Sequence, residues 1–174
     1  MTDWDEMVEY IHNAMQAVDK AHSAAEQLKR DTSHENLDAF MKKMKTLLPA
    51  GWAKPIGYAN GIAARGTLVF VAGQVGWDAQ QQFERTDFVS QFDQALANVI
   101  DVVTQAGGRP EHVCRITAFC CDKPAYVAAR DALGEVWRRR MGRHFPAMSM
   151  IFVADLLDHP AVIELEATAV IPAG

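Results

Sequence analysis

Two glutamates two residues apart, Glu164 and Glu166 in VIELEATAV, are the strongest chemical signal in this chain. Side chains alternate along a strand, so Ile163, Leu165, Ala167 and Ala169 share one face and both acids share the other. Two carboxylates this close repel if both are ionised in a closed space. Either both face solvent or a cation such as Arg115, or one of them works as a general base. In the second reading Glu164 activates a water in a partly dry cleft, and Glu166 is its structural partner. Water added that way hydrolyses an imine or enamine. A thiol nucleophile is the competing chemistry. Cys120 and Cys121 are neighbours and point to opposite faces of a strand, so at most one faces a cleft, and it would need His112, His144 or His159 as its base. Buried, inert thiols are the simpler account. No Cys/His spacing fits a metal, and neither a metal nor a cofactor is expected.

The elements that must carry these residues read clearly from Thr67 onward. TLVFVAGQV, VCRITAFCC, MSMIFVADL and AVIELEATAVI have strand texture. DFVSQFDQALANVIDVVTQAGG and AYVAARDALGEVWRRRMG have helical spacing, the first closed by Gly107-Gly108. IGYANGIAARG carries hairpin signals leading into TLVFVAG. The order is β-β-α-β-α-β-β, most economically one sheet with both helices on one face. Arg138, Arg139, Arg140, Arg143 and His144 cluster where the second helix ends, and cations there offset the helix dipole.

Residues 1–48 differ, with no Gly or Pro before Pro49. Thr2–Asp5 and Thr32–Glu35 are capping boxes. Trp4, Met7, Val8, Ile11, Met15 and Val18 form one apolar stripe, and Leu37, Phe40, Met41, Met44, Leu47 and Leu48 a second. These predict an N-terminal helical hairpin as a 1–50 extension, with a 51–174 α+β domain after it. Two short helices cannot bury their own stripes, so the extension must lean on the domain or on a neighbouring subunit.

The chain has 174 residues, 49% of them hydrophobic and 22% charged, with a net charge of −5. That balance fits a globular protein and argues mildly against nucleic acid, which rewards a basic surface, although the arginine cluster is a local basic patch. The acidic N-terminus is no secretory signal, and no stretch approaches a membrane span. Three cysteines without framework spacing fit a reducing, cytoplasmic setting.

Five stretches in order carry a family resemblance: IGYANGIAARGTLVFVAGQVGWD, QALANVIDVVTQAGG, HVCRITAFCCDKPAYVAARDALGEVW, FPAMSMIFVADL and VIELEATAV. Together they resemble the Rid (YjgF, L-PSP) family over about Ala53 to Pro172. The resemblance implies the chorismate-mutase-like fold of bacillus type and a homotrimer with ligand clefts between subunits. It also implies an enzyme that deaminates or tautomerises a small enamine, imine or related conjugated metabolite. Carried over residue by residue, Glu164 matches the glutamate that orients a water, and Tyr58 the tyrosine of the opening turn. Gly73 and Gln74 match the ligand-facing loop, with Ala72 where serine is frequent. Met148 stands where deaminase members hold the substrate carboxylate with an arginine, and Met150 where cysteine is frequent. Arg130 aligns with a helix position that commonly carries Asn, and could return a guanidinium to the cleft. Phe119, in the segment resembling V-K-x-T-V-F, completes the substrate-side set. Without the arginine, a less acidic or aromatic ligand is the expectation. The alternatives are a non-catalytic small-molecule-binding protein and an interaction module that uses the helical extension.

Overall fold

The computed structural model describes residues 44–172, within a compact unit of residues 42–174. The two capping boxes and the apolar stripes as far as Met41 lie outside the described residues. Six strands and three helices follow in order. Strands β1 (Lys45–Leu47) and β2 (Gly61–Ala63) precede β3 (Thr67–Gln74) and helix α1 (Phe88–Gln105). A 3-10 turn (Pro110–His112) leads into β4 (Val113–Cys120). Helices α2 (Lys123–Ala128) and α3 (Arg130–Met141), then β5 (Ala147–Phe152) and β6 (Ile163–Ile171), complete the chain.

The main sheet has the order β3-β6-β4-β5. β4 and β5 run parallel across the helical connection, and the other pairs are antiparallel. Burial in β6 alternates as its sequence requires. Ile163, Leu165, Ala167 and Ala169 are buried, and Glu164, Glu166 and Thr168 are half-exposed. The buried row meets Leu96, Val99 and Val103 of α1 and Val136 and Trp137 of α3 in one core. Both helical segments therefore cover the same sheet face. The opposite face is open, and Phe70 and Leu68 of β3 stand 76% and 57% exposed on it.

Three local expectations are corrected. Lys45–Leu47 is a strand, where the apolar stripe predicts the end of a helix. A partner overrides propensity here: Leu47 pairs with Gly61 and Lys45 with Ala63, forming a separate two-stranded sheet. For the same reason β2 does not form a hairpin with β3. The second predicted helix is two, α2 and α3, meeting at Ala129, which caps one and starts the other.

Local polar contacts fix the helix ends. Asp87 caps α1 by accepting from Ser90 N at 3.0 Å, and that hydrogen bond, first among its causes, holds the Asp87 carboxyl below its ordinary pKa. In mid-helix, Asp93 takes Arg140 Nε at 2.6 Å and Arg139 Nη2 at 2.9 Å, tying α1 to the last turn of α3. Of the arginine cluster, Arg139 and Arg140 are thus paired at the helix end. Burial opposes the Asp93 charge, yet the bonds from Arg140 and Arg139 prevail and lower its pKa. A lowered carboxyl stabilises the fold at pH values above the unfolded pKa of about 3.9, and loses that contribution as the pH falls toward the folded value. Asp93→Asn is accordingly expected to lower stability at pH 7 by about 1 kcal/mol, since solvent screens the arginines. In denaturant titrations the difference from the parent should shrink between roughly pH 4 and pH 2. A constant difference across that range would refute the ion-pair account.

Candidate functional site

The open face of the sheet brings four of the expected site residues together. Glu164, near the start of β6, lies opposite Phe119 of β4. Across the other edge of β6 the β3 ladder is irregular between Val71 and Gln74, leaving Ala72 and Gly73 in a bulge. The Glu164 carboxylate lies directly against Gly73, so that a Cβ on this glycine would overlap it. The amide of Gln74 folds back onto the same bulge, donating to Ala72 O at 3.2 Å and Gly73 O at 3.1 Å. Glu164, Gly73, Gln74 and Phe119 thus form one half-buried cluster.

The two acids of β6 differ in their partners. Arg115 Nη2 lies 3.9 Å from Glu166 and donates to Thr117 Oγ1 at 3.1 Å. Glu166 is therefore paired by the cation that the sequence offers. Glu164 has no hydrogen-bond or ion-pair partner among the described residues. An unpaired carboxylate against a glycine backbone, beside an aromatic ring, can accept a proton from a water or a ligand.

Two polar side chains of α1, Gln91 buried and Asn98 half-buried, hold this cluster in place. Gln91, 1% exposed, donates to Pro160 O and accepts from Val162 N, both at 2.9 Å, fixing the approach to β6 two residues before Glu164. Asn98 donates to Val75 O at 3.1 Å and Trp77 O at 2.9 Å, fixing the exit of β3 just past Gly73-Gln74. They lie seven positions, two turns, apart on the stripe of Phe92, Leu96 and Val99. A polar pair inside an apolar stripe is the signal that could have found them. Gln91→Leu strands the buried groups at Pro160 and Val162, and should cost about 1–3 kcal/mol in denaturant unfolding. A neutral result would mean that the 160–162 segment is held by other contacts.

The remaining expected residues lie elsewhere in the chain. Met148 and Met150 pair with Ile116 and Ala118 and pack against the core, on the helix-covered face and away from Glu164. Phe152 continues their row, contacting Tyr126 edge-on at 5.8 Å with Lys123 Nζ 5.4 Å from its ring centre. The two methionines do share a face, as their spacing requires. Tyr58 is exposed at the free side of β5, next to the Ala59–Ala147 bridge. That bridge is level with Arg115, four residues of β4 from the Phe119 level, so about 13 Å separates the rows of Tyr58 and Glu164. Arg130 opens α3 in solvent, without a hydrogen bond or ion pair among the described residues. The expected site residues therefore fall into separate groups within one chain.

Burial raises the pKa of all three thiols, Cys114, Cys120 and Cys121, which opposes the thiolate a nucleophile needs. Among the described residues no helix is long and apolar enough to cross a membrane, and no group of three or more His, Cys, Asp and Glu is placed to hold a metal ion.

Comparison with known proteins agrees with this fold. Residues 53–171 match the family model for endoribonuclease L-PSP. The RutC family protein slr0709 of Synechocystis sp. is 31% identical over 132 residues, covering 74% of this chain and 98% of that protein. The Rid family protein YyfB of Yersinia pestis has a similar structure, with a TM-score of 0.65 at 28% identity, covering 74% of this chain and 98% of its own. Escherichia coli TdcF, solved with bound serine, has a TM-score of 0.52 at 27% identity, covering 69% and 91%.

Proposed function

This chain belongs to the endoribonuclease L-PSP (Rid) family, and from that premise we propose that it hydrolyses or tautomerises a small enamine or imine in a cleft completed by a second copy of itself. The observation that carries the reading is the unpaired Glu164 carboxylate, seated on Gly73 beside Phe119. In the hydrolytic step Glu164 takes a proton from water as the oxygen bonds to the C=N carbon. Glu164 returns that proton to the nitrogen, giving the carbinolamine; it then passes the carbinolamine hydroxyl proton to the amine as the C–N bond breaks, so that carbonyl and ammonia leave and the carboxylate is regenerated. Phe119 supplies an apolar wall that keeps bulk water from competing, and the Gly73 backbone lets the ligand approach closely.

Completion by another copy is supported by what a single chain leaves open. Tyr58 lies apart from Glu164 within one chain, and a homotrimer would bring residues so separated to a shared cleft. Phe70, Leu68 and Ile151 are exposed on the uncovered sheet face, an apolar surface of the kind that subunits bury. Phe70→Asp is expected to convert trimers into single chains in sedimentation velocity while leaving the far-UV circular dichroism spectrum unchanged. A variant that keeps the parent mass would remove this face from the interface.

Ammonia release from imines generated in situ from amino acids tests the reaction. Met148, which offers no bidentate grip on a carboxylate, favours a second reading, capture of a ligand without turnover. Saturable binding with no ammonia release above the solution rate would establish that reading instead.

A further inference from the structure

A groove of about 490 Å³ lies beside Tyr58, between β1, the 54–59 loop and the turn after α3. Leu47, Leu48, Tyr58 and Phe145 give it apolar walls, and Lys54 and Arg143 supply its charge. Small-molecule pockets span roughly 300–1,000 Å³, so the space is adequate for one ligand.

Three observations point to the ligand. No Asp or Glu lines the groove, although the chain as a whole is acidic. Lys54 and Arg143 have no hydrogen bond or ion pair among the described residues, whereas Arg115, Arg139 and Arg140 each face a carboxylate. Two unpaired cations in a concavity with low-dielectric walls concentrate field and attract anions. The third observation is rigidity. Phe145 stacks on Trp137 at 5.8 Å with 4° between the rings, and Trp137 Nε1 donates to His144 O at 3.0 Å. The His144 ring is tied at Nε2 to Val113 O, 2.7 Å away, and Ala59 N donates to Pro146 O at 2.9 Å across the groove. A fixed aromatic wall needs little ordering when a planar ligand lies against it.

We infer that this groove binds a small carboxylate with a planar apolar body. The Arg143 fork and the Lys54 ammonium hold the carboxylate, and the body lies on Tyr58 and Phe145. Recognition of the anion then occurs beside Tyr58, away from the Met148 position. The link to turnover rests on the reading of a shared cleft; the binding itself does not.

Titration calorimetry of the full chain with cinnamate, and with the uncharged cinnamamide, tests this. Cinnamate should bind at least about 10-fold more tightly than the amide. Lys54→Gln and Arg143→Gln should each bring cinnamate down toward the level of the amide. Tyr58→Ala should weaken both ligands, and Arg65→Gln, an exposed charge elsewhere, should change neither. Equal affinity for acid and amide would overturn the inference. So would unchanged cinnamate binding in the Lys54→Gln/Arg143→Gln double variant, or an equal loss in Arg65→Gln. Glu164→Gln separates the two readings. Cinnamate discrimination without any Glu164-dependent turnover leaves the groove standing alone. Glu164-dependent turnover without cinnamate discrimination sinks the groove and spares the reaction.

Discussion

Glu164→Gln is expected to reduce ammonia release from an accepted imine by roughly 10²- to 10⁴-fold, the range over which general bases contribute. Glutamine has the same shape and keeps an oxygen toward Gly73, so the packing against the bulge survives. What it loses is the ability to accept a proton at neutral pH. Ligand affinity in calorimetry should therefore stay within about threefold of the parent while the turnover number falls. Glu166→Gln is the matched control. Its carboxylate meets Arg115 at the surface, where an exposed pair contributes at most about 1 kcal/mol, so its effect on rate should be small. Equal losses in the two variants would mean that the charge of the strand matters and that Glu164 has no specific role.

Gly73→Ala should produce nearly as large a loss by a different route. The new methyl group would occupy the space of the Glu164 carboxylate. That carboxylate ends a flexible side chain and can rotate away, so the fold should lose little, about 1 kcal/mol or less. The carboxylate itself must leave its seat. Misplacing a reacting group by about 1 Å can cost on the order of 100-fold in rate. The signature is a fallen turnover number with almost no change in melting temperature. Gly66→Ala gives the contrast. There the added Cβ would overlap the backbone carbonyl of Ile171, which cannot rotate away, and φ is +152°. Gly66→Ala should lower the melting temperature clearly. A Gly73→Ala enzyme with parental rate would show that Glu164 works from another rotamer.

The sequence was most informative where periodicity and burial coincide. The alternation of β6 placed Glu164 and Glu166 on one face, and both lie there, because Ile163, Leu165, Ala167 and Ala169 admit a single register against the helices. Arg115 was legible as the partner of Glu166 from charge alone. The face of β5 was harder to read, since Met148 and Met150 share it under either orientation. Only the parallel pairing with Ile116 and Ala118 puts that face under the helices. Lys45–Leu47 misled because three residues are too few to show a period, and their conformation is set by Gly61–Ala63, sixteen positions away. Gly73 carried no signal beyond its place in a loop. Its close approach to Glu164 is a long-range fact that local pattern does not contain.

The strand order β3-β6-β4-β5 has a consequence for how the molecule is made. The central pairings of the sheet belong to β6, the last in order of the described strands, which inserts between β3 and β4. Until residues 163–171 leave the ribosome, β3 and β4 have no neighbour on their inner edges, and the apolar face of α1 has only part of its floor. Cooperative folding must wait for β6 to emerge, and the waiting species presents two unpaired strand edges to chaperones or to other nascent copies. A stop codon near Pro160 would remove β6 and leave an incomplete sheet prone to aggregate.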